Sequence, residues 1–244
     1  MKKGISLIVL VITIIVMIIL AASVVLTLSN TGIIERANHA TQLTNKNQLQ
    51  TSIDLMLGDM MLANNGQKPN SFELVEELYS NNIITDLQKT EMLANGGELK
   101  VGEDIVRIDT STDIDTYCKE AVQVDGGWRL RFPCFLAKTP GVEYTEFGTI
   151  IIPKNMLESY KPEMEAMDKF TLENAEELSI LIIKSENYEE KEEKYEWVGT
   201  LTNLPENMNS RMICARAYAK YTYNGIEGVI YSDIAEGSID THKH

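Results

Sequence analysis

Histidine is nearly absent from this sequence of 244 residues: His39 lies in a polar stretch, and His242 and His244 lie at the tail. Acid–base or metal chemistry built on imidazole has almost no material here. Cysteine also numbers three, too few for a disulfide-scaffold miniprotein. Basic residues are outnumbered, 22 Lys and Arg against 36 Asp and Glu, for a formal charge of −14. Nucleic-acid binding needs a basic footprint, so that partner is excluded. There is no phosphate-binding glycine loop, no Ser-His-Asp set, no cysteine–histidine pair and no zinc spacing. Carboxylates are plentiful, but no two are singled out as a glycosidase pair. The composition therefore reads as a chain that is not an enzyme and uses no cofactor.

Charge is missing in one place above all. From Gly4 to Ile34 there is no charged residue, and Ile5 to Leu28 is almost entirely Ile, Val and Leu. Those residues make about 36 Å of helix, enough to cross a hydrocarbon core of about 30 Å. Lys2 and Lys3 precede the segment, so the positive-inside tendency keeps the amino terminus in the cytoplasm and sends the rest outside. Two plainer alternatives stand beside a specialised one. A secretory signal peptide fits poorly, because the apolar run exceeds the usual length and Leu20 occupies a cleavage position that wants a small residue. An uncleaved single-pass anchor fits well.

The residues before the run are more specific. Lys2-Lys3-Gly4-Ile5-Ser6-Leu7-Ile8 is a short basic leader ending in Gly, followed directly by the hydrophobic helix. This resembles the class III leader of type IV pilins and pseudopilins. The resemblance implies cutting between Gly4 and Ile5 by a prepilin peptidase, with Ile5 as the mature first residue and a site for N-methylation. It also implies that the apolar helix packs with other pilin or pseudopilin subunits. Val9 stands where the family carries an acid that offsets the buried amino terminus of a neighbour. That departure favours a minor or tip subunit, or a pilin-like anchor, over a major repeating one. Ala21 and Ala22, with Ser23, form the one cluster of small residues that eases close helix approach.

Downstream, Asn30-Thr31-Gly32 should kink the helix, and Ile33 restarts a helical pattern to about Ala63. Its upper half carries Leu49, Ile53, Met56, Leu57, Met60 and Met61 on one face. Next come two short helices and a hairpin. The first opens at Ser71, read as the N-cap, with Leu74, Val75, Leu78 and Tyr79 inward. The second opens at Thr85-Asp86, with Leu87, Met92 and Leu93 inward. The hairpin turns at Gly102. The unit resembles a winged helix, but residues 35–112 carry 12 acids against 6 bases, so it reads as a packing module against the stem. Asp109, Ser111, Asp113 and Asp115 alternate as in a calcium loop, but the turn glycine and distal Glu are missing, so a solvated linker is expected.

The distal half reads as a β-sandwich of immunoglobulin-like type. Strands are expected at Ala121–Val124 and Trp128–Leu136 around Asp125-Gly126-Gly127, then at Phe147–Ile152, Leu178–Ile183 (buried) and Tyr195–Leu201. Ile213–Tyr223 and Val229–Ser232 close it through a slightly extended loop. The acidic run Glu186–Lys194 reads as a solvated loop, and Pro133 suggests an edge strand. Leu130-Arg131-Phe132, Gly148–Lys154, Ala215–Tyr221 and Val229–Asp233 resemble a β-rich module repeated in Gram-positive surface proteins. That resemblance implies display or adhesion, with an extracellular ligand for the head. Arg131 and Arg216 are expected to form structural ion pairs. A hairpin symmetric about Gly126 sets Cys118 opposite Cys134, within disulfide reach; two buried thiols are the equal alternative, and Cys214 stays unpaired.

The expected class is thus α+β: leader 1–4, membrane and assembly helix 5–28, stem 29–65, small α+β module 66–112, β-sandwich head 113–240 and tail 241–244. The implied location is the cell membrane, with the head at the cell surface or on an extracellular filament.

Overall fold

The computed structural model describes Met17 and residues 33–102, 104–108, 114–159 and 170–243. The protein is α+β, and its C-terminal region is mostly β-sheet. Two compact units separate, Met1–Thr51 with Lys100–Val106, and Ser52–Leu99 with Arg107–His244. Among the described residues no helix is long and apolar enough to cross a membrane. The segment 5–28, the kink at 30–32 and the loop residues Asp109, Ser111 and Asp113 lie outside the described residues.

Helix α1 (Ile33–Ala63) has 31 residues and the bounds that the sequence pattern indicates. Ile53 and Leu57 are buried, with Leu49, Met56, Met60 and Met61 beside them half-buried, whereas Leu55 and Leu62 on the opposite side are exposed. The helix ends because Asn65 and Gly66 adopt φ of 54° and 87°, and Gly66 N–H donates back to the Met61 carbonyl at 2.7 Å.

Helices α2 (Ser71–Ser80) and α3 (Asp86–Ala94) are each started by a capping box. In α2 the cap is Asn70, one residue earlier than expected. Only Asn70 has Glu73 three positions on, and the two side chains reciprocate at 2.8 and 3.3 Å. In α3 the pair is Thr85 and Gln88, as the sequence suggests. Leu87 is not inward: it is 77% exposed. On a helix it lies about 140° from Met92 and about 120° from Leu93, so it cannot share their buried face. Strands β1 (Glu98–Val101) and β2 (Asp104–Arg107) pair as the expected hairpin.

Two antiparallel sheets build the rest. The first comprises β3 (Ile114–Thr116), β4 (Val122–Val124), β5 (Gly127–Ala137), β8 (Glu189–Glu190) and β9 (Lys194–Leu204), in the order β3/β4–β5–β9–β8. The second comprises β6 (Val142–Pro153), β7 (Leu181–Lys184), β10 (Ile213–Tyr223), β11 (Ile226–Tyr231) and β12 (Ala235–Gly237), in the order β11/β12–β10–β6–β7. Leu130 and Phe132 of β5 meet Ile151 of β6 and Ile213 and Ala215 of β10 between the sheets. Trp197 Nε1 crosses to donate to the Gly148 carbonyl at 3.0 Å.

The outer face of the second sheet is also dry. Ile150, Ile152, Cys214 and Tyr218 pack under Leu157 of helix α4 (Lys154–Ser159) and under Phe170, Ala175, Leu178 and Ile180. This changes the reading of the run 178–183. Leu178 and Ile180 are buried in a turn, whereas β7 itself is an edge strand with Leu181 49% and Ile182 39% exposed. Pro133 does not mark an edge either, since β5 lies between β3/β4 and β9. In an antiparallel ladder one residue's N and O point to the same neighbour. The Pro133 carbonyl faces the Thr116 hydroxyl, where β3 stops, so its ring nitrogen owes no ladder bond. The β10–β11 turn is also tighter than expected. Tyr223 pairs with Ile226 across Asn224-Gly225, whose φ of 49° and 80° suit a two-residue hairpin. The acidic run 186–194 is exposed at its centre and supplies β8.

The two short helices dock on the head. Phe72 packs edge-on against Tyr221, centroids 5.0 Å apart, and beside Tyr223 at 4.8 Å. The Tyr221 hydroxyl donates to the Leu93 carbonyl and accepts from Gly96 N–H at 3.1 Å, satisfying two groups at the end of α3. Burying rings such as Phe72 and Tyr221 contributes about 2–3 kcal/mol each, against about 1 kcal/mol for a typical hydrogen bond. Packing holds the module, and the hydroxyl orients it.

Gly228 makes this approach feasible: a Cβ there would lie 2.6 Å from the Ala94 carbonyl oxygen and from the Tyr221 ring. Gly228→Ala should cost about 1–3 kcal/mol in urea unfolding. Gly58→Ala, in α1 with nothing within 4 Å of the new methyl, should raise stability by about 0.5–1 kcal/mol. Equal effects at both sites would contradict the docking geometry.

Candidate functional site

Gly4, Ile5, Val9, Ala21 and Ala22, the processing and assembly positions, lie outside the described residues. Among the described residues no three His, Cys, Asp or Glu gather as a metal site. Asp115, the last member of the acidic alternation, accepts the N–H of Thr116 at 2.7 Å.

All three cysteines are free thiols, which corrects the pairing of Cys118 with Cys134. The turn holds two residues, Asp125 and Gly126, so Val124 faces Gly127 rather than the hairpin being symmetric about Gly126. Beyond β4 the register slips once more, and Thr116 stands opposite Cys134. Cys134 Sγ lies between the sheets, 3.4 Å from the Thr116 hydroxyl and 3.3 Å from that of Thr149. Cys118 packs instead against Gly237, where any side chain would collide with its sulfur. Burial pushes the Cys118 thiol to about 11. Burial, then the Glu236 carboxylate, pushes Cys214 to about 12. Burial also raises Cys134 against the pull of its two hydroxyl partners. None is a thiolate at neutral pH, so none is a ready nucleophile.

The chain matches no known family model, no curated protein and no solved structure.

Of the two arginines expected to form ion pairs, Arg216 is a buried strut. Its Nε donates to the Ser232 carbonyl at 2.6 Å and an Nη to that of Phe170 at 3.1 Å, over the Tyr231 ring. Burial lowers its pKa, and Glu98 counters this. It therefore ties the outer cover to β10 through carbonyls. Arg131 behaves differently. Leu130, Phe132 and Cys134 point between the sheets, so Arg129, Arg131, Pro133 and Phe135 face outward from β5. Arg131 stands opposite Thr200, Pro133 opposite Val198 and Phe135 opposite Glu196. Tyr117 stacks on Phe135 at 5.9 Å and 10°. Tyr117 and Val198 are 46% and 47% exposed, so this face presents an aromatic and apolar patch to solvent. At one end of it Lys191 and Lys194 bind Glu196. At the other, Arg129 and Arg131 have solvent-inaccessible Nε atoms and, among the described residues, no ion pair or side-chain hydrogen bond. The sequence pointed to Arg131 but not to this face. The signal was the alternation of Arg129, Arg131, Pro133 and Phe135 against a buried set.

Glu146 gathers the opposite kind of site. Lys184 at 2.7 Å, Lys220 at 3.2 Å and the Tyr218 hydroxyl at 3.1 Å converge on it. Burial alone would raise its pKa, but those three hydrogen bonds outweigh burial and hold it below the ordinary carboxylate value.

Two predictions follow from these geometries. Mass measurement without reductant should find three free thiols, with Cys134 and Cys214 blocked to alkylation until the chain unfolds; a Cys118–Cys134 bridge would refute the register. Because Glu146 has a depressed folded pKa, its contribution is present above the unfolded value of about 4.3 and disappears as pH falls through the folded value. Glu146→Gln should cost about 1 kcal/mol at pH 7 and less near pH 3. Equal losses of urea stability at the two pH values would contradict it.

Proposed function

We propose that this chain is a pilin-like or pseudopilin-like structural subunit, a minor one, of a type IV pilus or type II secretion-like filament. Its β-rich head is displayed outside the cell. The observation that carries the reading is the order of parts. A Lys-Lys-Gly leader and a charge-free segment come first, and the 31-residue helix Ile33–Ala63 begins where that segment ends. The upper part of the helix carries the stripe of Ile53 and Leu57, which are buried. The residues from Leu43 to Gln48 are mostly exposed and polar, as suits a stem that meets other stems.

The head is an immunoglobulin-like sandwich in this reading. Naming β3/β4 as A and following the chain, the two sheets have the orders A-B-E-D and G-F-C with an added C′ strand. Display modules of this kind work by their surfaces, so the role is structural rather than catalytic. Processing by a prepilin peptidase would free the apolar helix to leave the bilayer and pack with other subunits.

A second reading is a membrane-anchored adhesion or display protein that never assembles; Val9 in place of the family's acid favours it. The test is co-expression with a prepilin peptidase and sequencing of the mature amino terminus. A start at Ile5 is expected. An intact start at Met1 would favour the plain anchor. A start beyond Leu20 would mean a cleaved signal peptide and end the filament reading.

A further inference from the structure

We infer that the outward face of β5 and β9 is a head-to-head contact in which Arg129 and Arg131 of one copy receive the acidic loop Glu186–Glu193 of the next. The inference rests on the subunit reading above and names the surface through which the heads meet.

The first observation is electrostatic. In a chain of charge −14, most of the head's cations already have a carboxylate. Lys138 pairs with Glu190, Lys154 with Glu236, Lys184 and Lys220 with Glu146, and Lys243 with Asp240. Arg129 and Arg131 do not, among the described residues. They stand two positions apart on one strand face, about 6.6 Å between Cα atoms. Two guanidiniums at that spacing can take two carboxylates of an exposed loop.

The second observation supplies those carboxylates. The run from Glu186 to Glu193 has five acids and one lysine, and Glu186, Glu192 and Glu193 are exposed without an ion pair among the described residues. The third observation is placement. β9 runs from Lys194, beside this loop, to Leu204, opposite Trp128. The acidic loop and the arginine pair therefore lie toward opposite ends of the same sheet. A single molecule cannot close that distance on itself. A second copy translated along the strand direction can, and Tyr117, Phe135, Pro133 and Val198 lie on the face between the two poles. Such a contact is heterologous: it uses two different patches, so a second and a third copy can add in the same way.

The test uses the full chain in detergent micelles, read by sedimentation velocity over a concentration series. Association of the natural chain is expected to weaken with added salt. R129E/R131E and, separately, E186K/E192K/E193K should each weaken it roughly tenfold. An equimolar mixture of the two variants should restore it, since each supplies the patch the other lacks. The triple variant changes only exposed side chains, so it carries the test if the arginine variant loses its fold. Association indifferent to both reversals, or a mixture no stronger than its parts, would overturn the contact. So would a natural chain that stays monomeric, or one whose monomers bind an acidic peptide or anionic glycan through the arginines. Leader cutting is read separately on the same preparations. Cutting after Gly4 with no charge-dependent association removes this contact and leaves the subunit reading intact. Charge-dependent association with an uncut leader does the reverse.

Discussion

The ladder between β6 and β10 must be kept dry on both faces, and most of the head follows from that. Phe147 to Ile152 are buried without a break, and so are Ile213 to Ala219. A strand with one wet face alternates; these do not, so two coverings are needed. The first sheet supplies one, through Leu130, Phe132 and Trp197. Residues 154–159 and 170–180 supply the other, through Leu157, Phe170 and Leu178. Arg216 sits under this second cover. A buried charge is expensive, and two carbonyls and the face of Tyr231 help to offset it. Close approach sets the remaining positions. A Cβ on Gly148 would strike the Tyr218 ring, and one on Gly199 would strike Thr149.

Much of this was legible where the deciding forces are local. The bounds of α1 and the Thr85 cap depend on residues within a few positions of each other. Legibility failed where the partner is remote or the arithmetic is unforgiving. Leu87 looks like core by hydrophobicity, and only its angle around the helix excludes it. The run 178–183 is uniformly apolar, yet its two halves meet different surroundings, a covered turn and an open edge. The cysteine pairing failed by one residue of turn length and one further slip, because a strand register has no tolerance for fractional error. That the short helices dock on Tyr221 could not be read from either segment alone, since the contact joins residues 128 positions apart.

The candidate surface shows the same division. Alternation along β5 marks Arg129, Arg131, Pro133 and Phe135 as outward-facing, and that much is in the sequence. That the two arginines have no carboxylate among the described residues, while Lys184 and Lys220 share one, is a property of the folded molecule. With 36 acids in the chain, pairing is the default for a cation. A cation left out of it, beside exposed aromatic surface, therefore carries more information than any of the ion pairs.

The thiols carry a consequence for where such a head can exist. Cys118, Cys134 and Cys214 are the full complement, each is protonated at neutral pH, and no two of them are joined. The native state then contains no couple whose potential must match its compartment.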